Sequence, residues 1–365
     1  MLAKSLELTN FRNIKNARLD FDNGVNIIFG ENAQGKTNII EALWFFSVGK
    51  SFRASKEKEV INFDADFSKI QLDFFSNGRD NTFKIEIPKT GRKAILLNDI
   101  ALKKVSEIAG NFTSVLFSPE HLTLVKDGPS ERRRFMDYAL CQLKPRYISL
   151  LLEYGKVLEQ RNWALKQSFS DSSLYDTLDI WDEKAAKTGS EIIFKRNEFI
   201  NLALILAKEE HFKLSSGAEE LNLKYIWSGD FEPNDKNEIY EFLLKAYKEN
   251  RKQEIREGIS LFGPHRDDIG ITLNGYPARH YGSQGQQRSC VLSLKTAEAG
   301  LIYNEYGEYP LFLLDDVLSE LDTNRQRYII EKIKDRQVII TCCEAARFEN
   351  INGSKTFLID KGQLK

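Results

Sequence analysis

GENAQGKT, Gly30 to Thr37, follows the apolar run VNIIF (25–29) directly and opens the helix-like stretch KTNIIEALWFFSVG (36–49). It fits the pattern GxxxxGK[ST] in the strand, loop and helix context that this pattern requires. Glycines at 30 and 35 let backbone amides turn toward a polyphosphate, and the N-terminus of the following helix adds positive potential. Lys36 reaches the β and γ phosphates, and Thr37 offers a hydroxyl to Mg²⁺. Gly30, Glu31, Asn32, Ala33, Gln34, Gly35, Lys36, Thr37 and Asn38 are therefore the candidate ATP cradle. A Gly-rich turn that binds nothing is the alternative; agreement at every fixed position and in both flanks argues against it.

Outward from this loop, YPLFLLDDVLSELD (309–322) is an apolar strand ending in two carboxylates. Asp315 is expected in the Mg²⁺ shell, and Asp316 as the group that orients or deprotonates the attacking water. Strand-end turn residues capping the next helix would look similar. Beside a phosphate loop, however, paired carboxylates at a buried strand's end have the cation that offsets their repulsion.

A phosphate loop and a carboxylate strand fit kinases, GTPases and motors equally well. GSQGQ (282–286) separates them. Ser283, Gln284, Gly285 and Gln286 precede the long helical stretch QRSCVLSLKTAEAGLIYNEY (287–306) and resemble the Ser-Gly-Gly-Gln signature of ABC-type ATPases. A helix N-terminus with a serine hydroxyl is a second anion site, although Ser283 is also an ordinary N-cap residue. SELD (319–322) resembles the D-loop of the same class. That class implies that the signature binds the γ-phosphate held by another subunit, so that two monomers close around two ATP molecules.

The resemblance then narrows. LTNFRNI (8–14), KSFRASKEKEVI (50–61), VLFSPEHLTLVKDGPSERRRFMD (115–137) and LFGPHRDDI (261–269), with the three motifs above, are together similar to the RecF family of bacterial recombination and repair ATPases. What that family implies is an α/β, ABC-type P-loop head related to SMC proteins, a short helical arm, and ATP-dependent homodimerisation on double-stranded or gapped DNA. It also implies assistance to RecO and RecR in loading RecA, with weak, DNA-stimulated hydrolysis of ATP as a reset. Carried onto this chain, Lys36 and Thr37 take the phosphate-loop roles, Asp315 and Asp316 the carboxylate roles, and Ser283 to Gln286 the role in trans; Lys36, Asp316 and Ser283 are the catalytic set. Arg12 and Asn13, in the first turn, are expected to touch the nucleotide. Asp316 replaces the usual catalytic glutamate and is one methylene shorter, which suits slow turnover. No switch histidine follows QVIIT; Thr341 or Cys342 occupies its neighbourhood.

Strand-like runs dominate up to residue 117, and apolar residues at three- and four-residue spacing dominate the middle of the chain. After it, Asn274-Gly275 marks a hairpin, and strand and helix alternate to the end. The expected organisation is a head built from 1–117 and 258–365, with 118–257 inserted as a mainly helical arm. As a helical hairpin of roughly 120 residues at about 1.5 Å per residue, such an arm spans at most about 90 Å, which excludes a long-armed SMC protein. A transporter subunit expects a far shorter insertion, a kinase lacks the signature serine, and a nuclease-coupled ATPase needs a further metal domain.

Lys and Arg number 52 against 53 Asp and Glu, so any DNA contact is a local patch rather than a bulk attraction. KSFRASKEK offers Lys50, Arg53, Lys56 and Lys58 with interleaved serines, the usual phosphate-contact set; Glu57 and Glu59 fit a plain solvated segment as well. Arg132, Arg133 and Arg134 cannot share one helix face and are expected in internal contacts, while His265 and His280 read as structural. Arg266 is a candidate brace for the signature across the dimer. The N-terminus lacks a signal-peptide core and no run approaches a membrane span, so the expected location is cytoplasmic, with no membrane partner. Cys141, Cys290, Cys342 and Cys343 lack metal or disulfide spacing and are expected as reduced thiols in or near the core.

Overall fold

The computed structural model describes residues 1–169, 175, 177–344 and 354–365. Among these, β1 (Leu2–Phe11), β2 (Ile14–Asp20), β4 (Phe67–Ser76), β5 (Arg79–Pro88), β6 (Ala94–Leu97) and β7 (Ile100–Ala101) form an antiparallel sheet in the order β2-β1-β4-β5-β6-β7. Period-two burial in β4 and β5 turns Ile70, Leu72, Phe83 and Ile85 inward, as one-sided sheets require.

A second sheet follows the order β15-β14-β3-β13-β12-β8, with β3 (Val25–Phe29), β8 (Ser114–Phe117), β12 (Leu311–Asp315), β13 (Val338–Cys342), β14 (Lys355–Asp360) and β15 (Gln363–Leu364). Only β15 runs antiparallel. The runs LFLLD and VIITC are buried at every residue, the pattern of parallel strands covered on both faces. Between the two sheets lies α1 (Lys36–Val48), buried from Ile39 to Val48 and apolar over that stretch except at Glu41 and Ser47, as a helix without a solvent face tends to be. Phe46 on α1 meets Phe83 on β5 with ring centroids 5.5 Å apart. Both ends of the chain thus build one α/β head.

The middle of the chain is helical: α2 (Pro129–Leu143), α3 (Arg146–Ser168), α4 (Thr177–Leu214) and α5 (Lys236–Glu257). Arg161 on α3, fully buried, pairs with Asp182 on α4 at 2.8 Å and Glu254 on α5 at 2.6 Å, and Arg251 reaches Asp182 at 2.6 Å. Removing one partner from such a set leaves an uncompensated buried charge, so these ions hold the three helices in one arrangement. The 38 residues of α4 make it about 57 Å long, within the expected short reach.

β9 (Leu221–Ile226) pairs with β10 (Asp268–Leu273), which turns through Asn274 (φ 50°) and Gly275 (φ 82°) into β11 (Tyr276–Pro277). Two positive φ values in a two-residue turn match the twist of a hairpin. Strand pairing therefore crosses the boundary expected at 257/258. After α6 (Ala278–Tyr281), α7 (Gln284–Tyr306) packs on both α4 and β8, joining the arm to the head, and α8 (Thr323–Ile333) follows β12. No described helix is long and apolar enough to cross a membrane.

Candidate nucleotide site and signature loop

The loop from Gly30 to Gly35 is shaped by what presses on it. Gly30 (φ 151°) runs so close to β14 that a Cβ there would lie 2.3 Å from the Ile359 carbonyl oxygen. Gly35 (φ 117°) begins α1 without a side-chain cap, so the first amides of that helix have no side-chain acceptor. Asn13, from the turn between β1 and β2, donates to the Gln34 carbonyl at 3.0 Å and accepts from Asn38 at 2.8 Å. Lys36 is buried, its Nζ donating to the carbonyls of Gly30 (2.7 Å) and Glu31 (3.0 Å). Arg12 (φ 56°) is held by buried Glu41, with Nε and a terminal nitrogen at 3.0 and 2.6 Å from its two oxygens; it flanks the loop with its charge already paired.

Strand order brings the carboxylates to this loop. Because β13 separates β3 from β12, its penultimate residue Thr341 lies between the phosphate-loop side and Asp315. Asp315 Oδ1 accepts from Thr37 Oγ1 at 2.9 Å and from Thr341 Oγ1 at 2.7 Å, and Thr341 Oγ1 in turn accepts from the Asp316 amide at 2.9 Å. Burial raises the Asp315 carboxyl above its ordinary range, the two hydroxyls oppose this, and the neighbouring Asp316 adds to it. Asp316 itself is half-buried in the left-handed region (φ 51°), a strain of order 1–3 kcal/mol that surrounding structure must hold in place.

A cavity of about 460 Å³ gathers Arg12, Asn13, Asn32, Lys36, Thr37 and Asp316. Ala33, Gly35 and Asn38 line it too, whereas Glu31 and Gln34 act through the backbone just described and the Gln34 side chain holds the Lys361 amide. Sequence reasoning did not single out Ile61 and fully exposed Phe63 on its wall; an isolated aromatic among Asn and Asp residues carries no periodic signal. A second cavity shares Asn32 and Asp316 and adds Ser319, Thr341 and Cys343. Cys141, Cys290 and Cys342 are buried, but Cys343 is exposed. Just past the end of β13, its Sγ lies 3.2 Å from Asn32 Oδ1 and 3.9 Å from Lys36 Nζ, so it is a cleft residue rather than a core thiol.

The signature residues stand elsewhere. Ser283 caps α7 in a reciprocal box: its Oγ accepts from the Gln286 amide at 3.2 Å, and its own amide donates to Gln286 Oε1 at 2.8 Å. Ser283 and Gln284 are exposed, Gly285 is covered by Arg325, and none of the four lines the phosphate-loop cavity. Gln286 Nε2 donates to Glu219 at 2.9 Å, whose other oxygen lies 2.9 Å from His211 Nε2. That connection, 67 residues apart, has no local sequence signal.

The basic stretches divide. Arg53 faces the phosphate loop, 3.2 Å from Asn38 Oδ1, and lines its cavity, while Lys56 and Lys58 are exposed and Lys50 lies 5.0 Å over the Tyr138 ring. All three arginines of ERRRFMD are engaged internally: Arg132 with Asp268 at 2.6 and 2.9 Å, Arg133 with the Asp267 carbonyl at 2.7 Å, Arg134 with the Phe52 carbonyl at 2.6 Å. Arg266 donates to the Ser260 carbonyl at 3.0 Å.

The family model of the RecF/RecN/SMC N-terminal domain matches residues 2–363. The chain is 43% identical to a DNA replication and repair protein RecF of Acetivibrio thermocellus, over 94% of both chains, and 42% identical to that of Clostridium kluyveri, over 100% of this chain and 97% of the relative. Two solved structures of the recombination mediator protein RecF in the RecFOR pathway, RecF-ATPrS and RecF-ATP, give TM-scores of 0.93 and 0.92 at 36% identity, covering 100% of this chain and 97% of theirs. An Smc head domain from Pyrococcus furiosus shares the fold at a TM-score of 0.56 and 17% identity, over 100% of this chain and 95% of that one.

Proposed function

The chain belongs to the RecF family, and from that membership we propose that it is an ATP-operated DNA-binding protein of replication and repair. ATP joins two heads, the closed pair grips double-stranded DNA near gaps, and hydrolysis reopens it. The observation that carries this reading is the division of labour within one chain: the phosphate loop and both carboxylates converge, while the exposed signature lines none of their cavity. A second copy supplies the missing signature. Its Ser283 hydroxyl and the N-terminus of α7 meet the γ-phosphate held by Lys36 and the amides of α1.

Asp316, at the cleft between the two cavities, orients the attacking water and takes its proton as the bond to the ADP leaving group breaks. Its short side chain suits a switch with slow turnover. Thr37 Oγ1 and Asp315 Oδ1, 2.9 Å apart, are the oxygen pair that would hold Mg²⁺, and the burial that raises Asp315 is what an adjacent cation relieves. When bound, that ion offsets phosphate charge. Arg53 stabilises the phosphates from the opposite side, and Phe63 offers the base a flat apolar face. Lys56 and Lys58 contact duplex phosphates. RecR and RecO are the protein partners, with RecA loading downstream, in the cytoplasm.

Fluorescence anisotropy of a short labelled duplex, with and without ATP at two salt concentrations, tests the whole. Tight binding only with ATP, weakening as salt rises, is the expected result. Equal binding with and without ATP sinks the switch.

A further inference from the structure

ERRRFMD and GPHRDD take no part in the nucleotide site, yet the fold brings them to one concavity of about 400 Å³ between α2, α3, α4 and the end of α1. Its charges do not balance. Lys50, Arg133, Arg134 and Arg196 line it against a single described carboxylate, Asp137. Arg196 takes that carboxylate with two hydrogen bonds of 3.0 Å. Arg134 finds Glu131 at 3.4 Å on the rim. Arg133 donates to a main-chain carbonyl only, and Lys50 rests on the Tyr138 ring; among the described residues neither has a carboxylate within ion-pair distance. Burial, and then the charge of Arg196, hold the Arg133 guanidinium below its usual range against the opposing pull of Asp268, Asp267 and Asp137. His265 adds no charge at neutral pH, since burial pushes its imidazole down to about 4. Lys50 and Arg133 therefore stand without a direct ion pair over walls made by Leu151, Leu158 and Ile192.

We propose that this concavity binds a single phosphate-bearing ligand of mononucleotide size, with its phosphate at Lys50 and Arg133 and its flat body against the apolar walls. The volume lies within the range of small-ligand pockets, where a few convergent polar groups set specificity. A duplex presents its phosphates on a convex face and cannot enter; a nucleotide at a strand end and a free nucleotide share the chemistry that can. The pocket also touches the nucleotide site mechanically. Trp44 of α1 meets Tyr138 edge-on at 5.4 Å, and the same helix begins with Lys36 and Thr37. A ligand here sits at the far end of the phosphate-loop helix.

Calorimetric titration of thymidine 5′-monophosphate into the full chain, with the nucleotide cleft saturated by Mg²⁺ and a non-hydrolysable ATP analogue, tests this site apart from the ATP-driven grip. The expected result is one further equivalent bound, weakened by salt and by about tenfold or more in Lys50→Glu and Arg133→Met, with ATP-analogue affinity unchanged. Lys50 is exposed, so its variant remains informative if Arg133→Met folds poorly. Short single strands phosphorylated at the 5′ or 3′ end, beside unphosphorylated ones, identify the source. Preference for a phosphorylated strand over the mononucleotide assigns strand ends, and equal binding assigns a free nucleotide. Absence of binding by every phosphorylated probe overturns the proposal, as does binding that both substitutions leave unchanged. Loss of duplex binding in Lys50→Glu without mononucleotide binding overturns it as well, and makes Lys50 a duplex contact.

Discussion

The proposed function gives anion chemistry to two helix N-termini in this molecule, and they are finished differently. The start of α1 has glycine where a cap would be, a buried lysine beside it, and Thr37 tied to a buried carboxylate. The start of α7 is exposed and already closed by its own capping box. An uncapped terminus retains amides for a ligand, whereas a capped one keeps its shape without one. In the box Ser283 Oγ accepts a hydrogen bond, which leaves its O–H to donate outward. On the proposed function the first terminus is a socket that ATP completes, and the second a fixed reading head that another copy brings to it.

The contrast breaks first at Lys36. Lys36→Ala removes the charge of the socket while leaving carbonyl partners that belong to the loop, so hydrolysis is expected to fall about 10²–10³-fold with the head still folded. Phosphate-release assays and circular dichroism check both halves. Retained hydrolysis would mean that the cleft holding Asp316 is not where ATP reacts. Ser283→Arg acts on the other terminus alone. It should bind ATP as the parent does, yet show ATP-dependent dimerisation weakened by about tenfold or more, since an arginine cannot replace the compact hydroxyl at a buried polar contact. Sedimentation velocity with ATP decides it: a normal ATP-dependent dimer from this variant removes the trans role of the signature.

Much of this contrast is legible in the sequence because it is local. GENAQGKT and LLDD each place small, hydroxyl or carboxylate residues at the end of an apolar run, GSQGQ places them at the start of a long helix, and such junctions fold where they are written. The α/β class, the hairpin at Asn274-Gly275 and the helical middle follow from periods of two and of three to four. What depends on strand order is not legible. Thr341 bridges Asp315 and the Asp316 amide only because β13 enters between β3 and β12; read along the chain it is one of two residues near an absent histidine. Arg53 reads like its basic neighbours, yet the turn after α1 sends it into the cleft. Pairing of β9 with β10 joins segments on either side of what composition divides. Cys343, expected in or near the core by residue type, is carried into the cleft by one step past a strand end.

The least visible connection sharpens the contrast most finely. Glu219, in the segment between α4 and β9, accepts from the signature residue Gln286 and faces His211 in the last turn of α4, a histidine that burial holds below its ordinary pKa against the pull of Glu219. With the imidazole neutral, the carboxylate serves two donors at once, Gln286 Nε2 and the imidazole N–H. Glu219→Gln keeps the shape but replaces one accepting oxygen with an NH₂ group, so one of these contacts becomes donor against donor. The signature loop then loses a brace while the socket, which shares no bond with it, keeps all of its own. ATP affinity of the monomer should be unchanged, and ATP-dependent dimerisation should weaken by about threefold to tenfold, the worth of one hydrogen bond. Titration with a fluorescent ATP analogue and sedimentation on the same sample separate the two. A fall in monomer affinity would show that the arm reaches the socket as well, and that the two termini are one coupled device rather than a socket and an independent reading head.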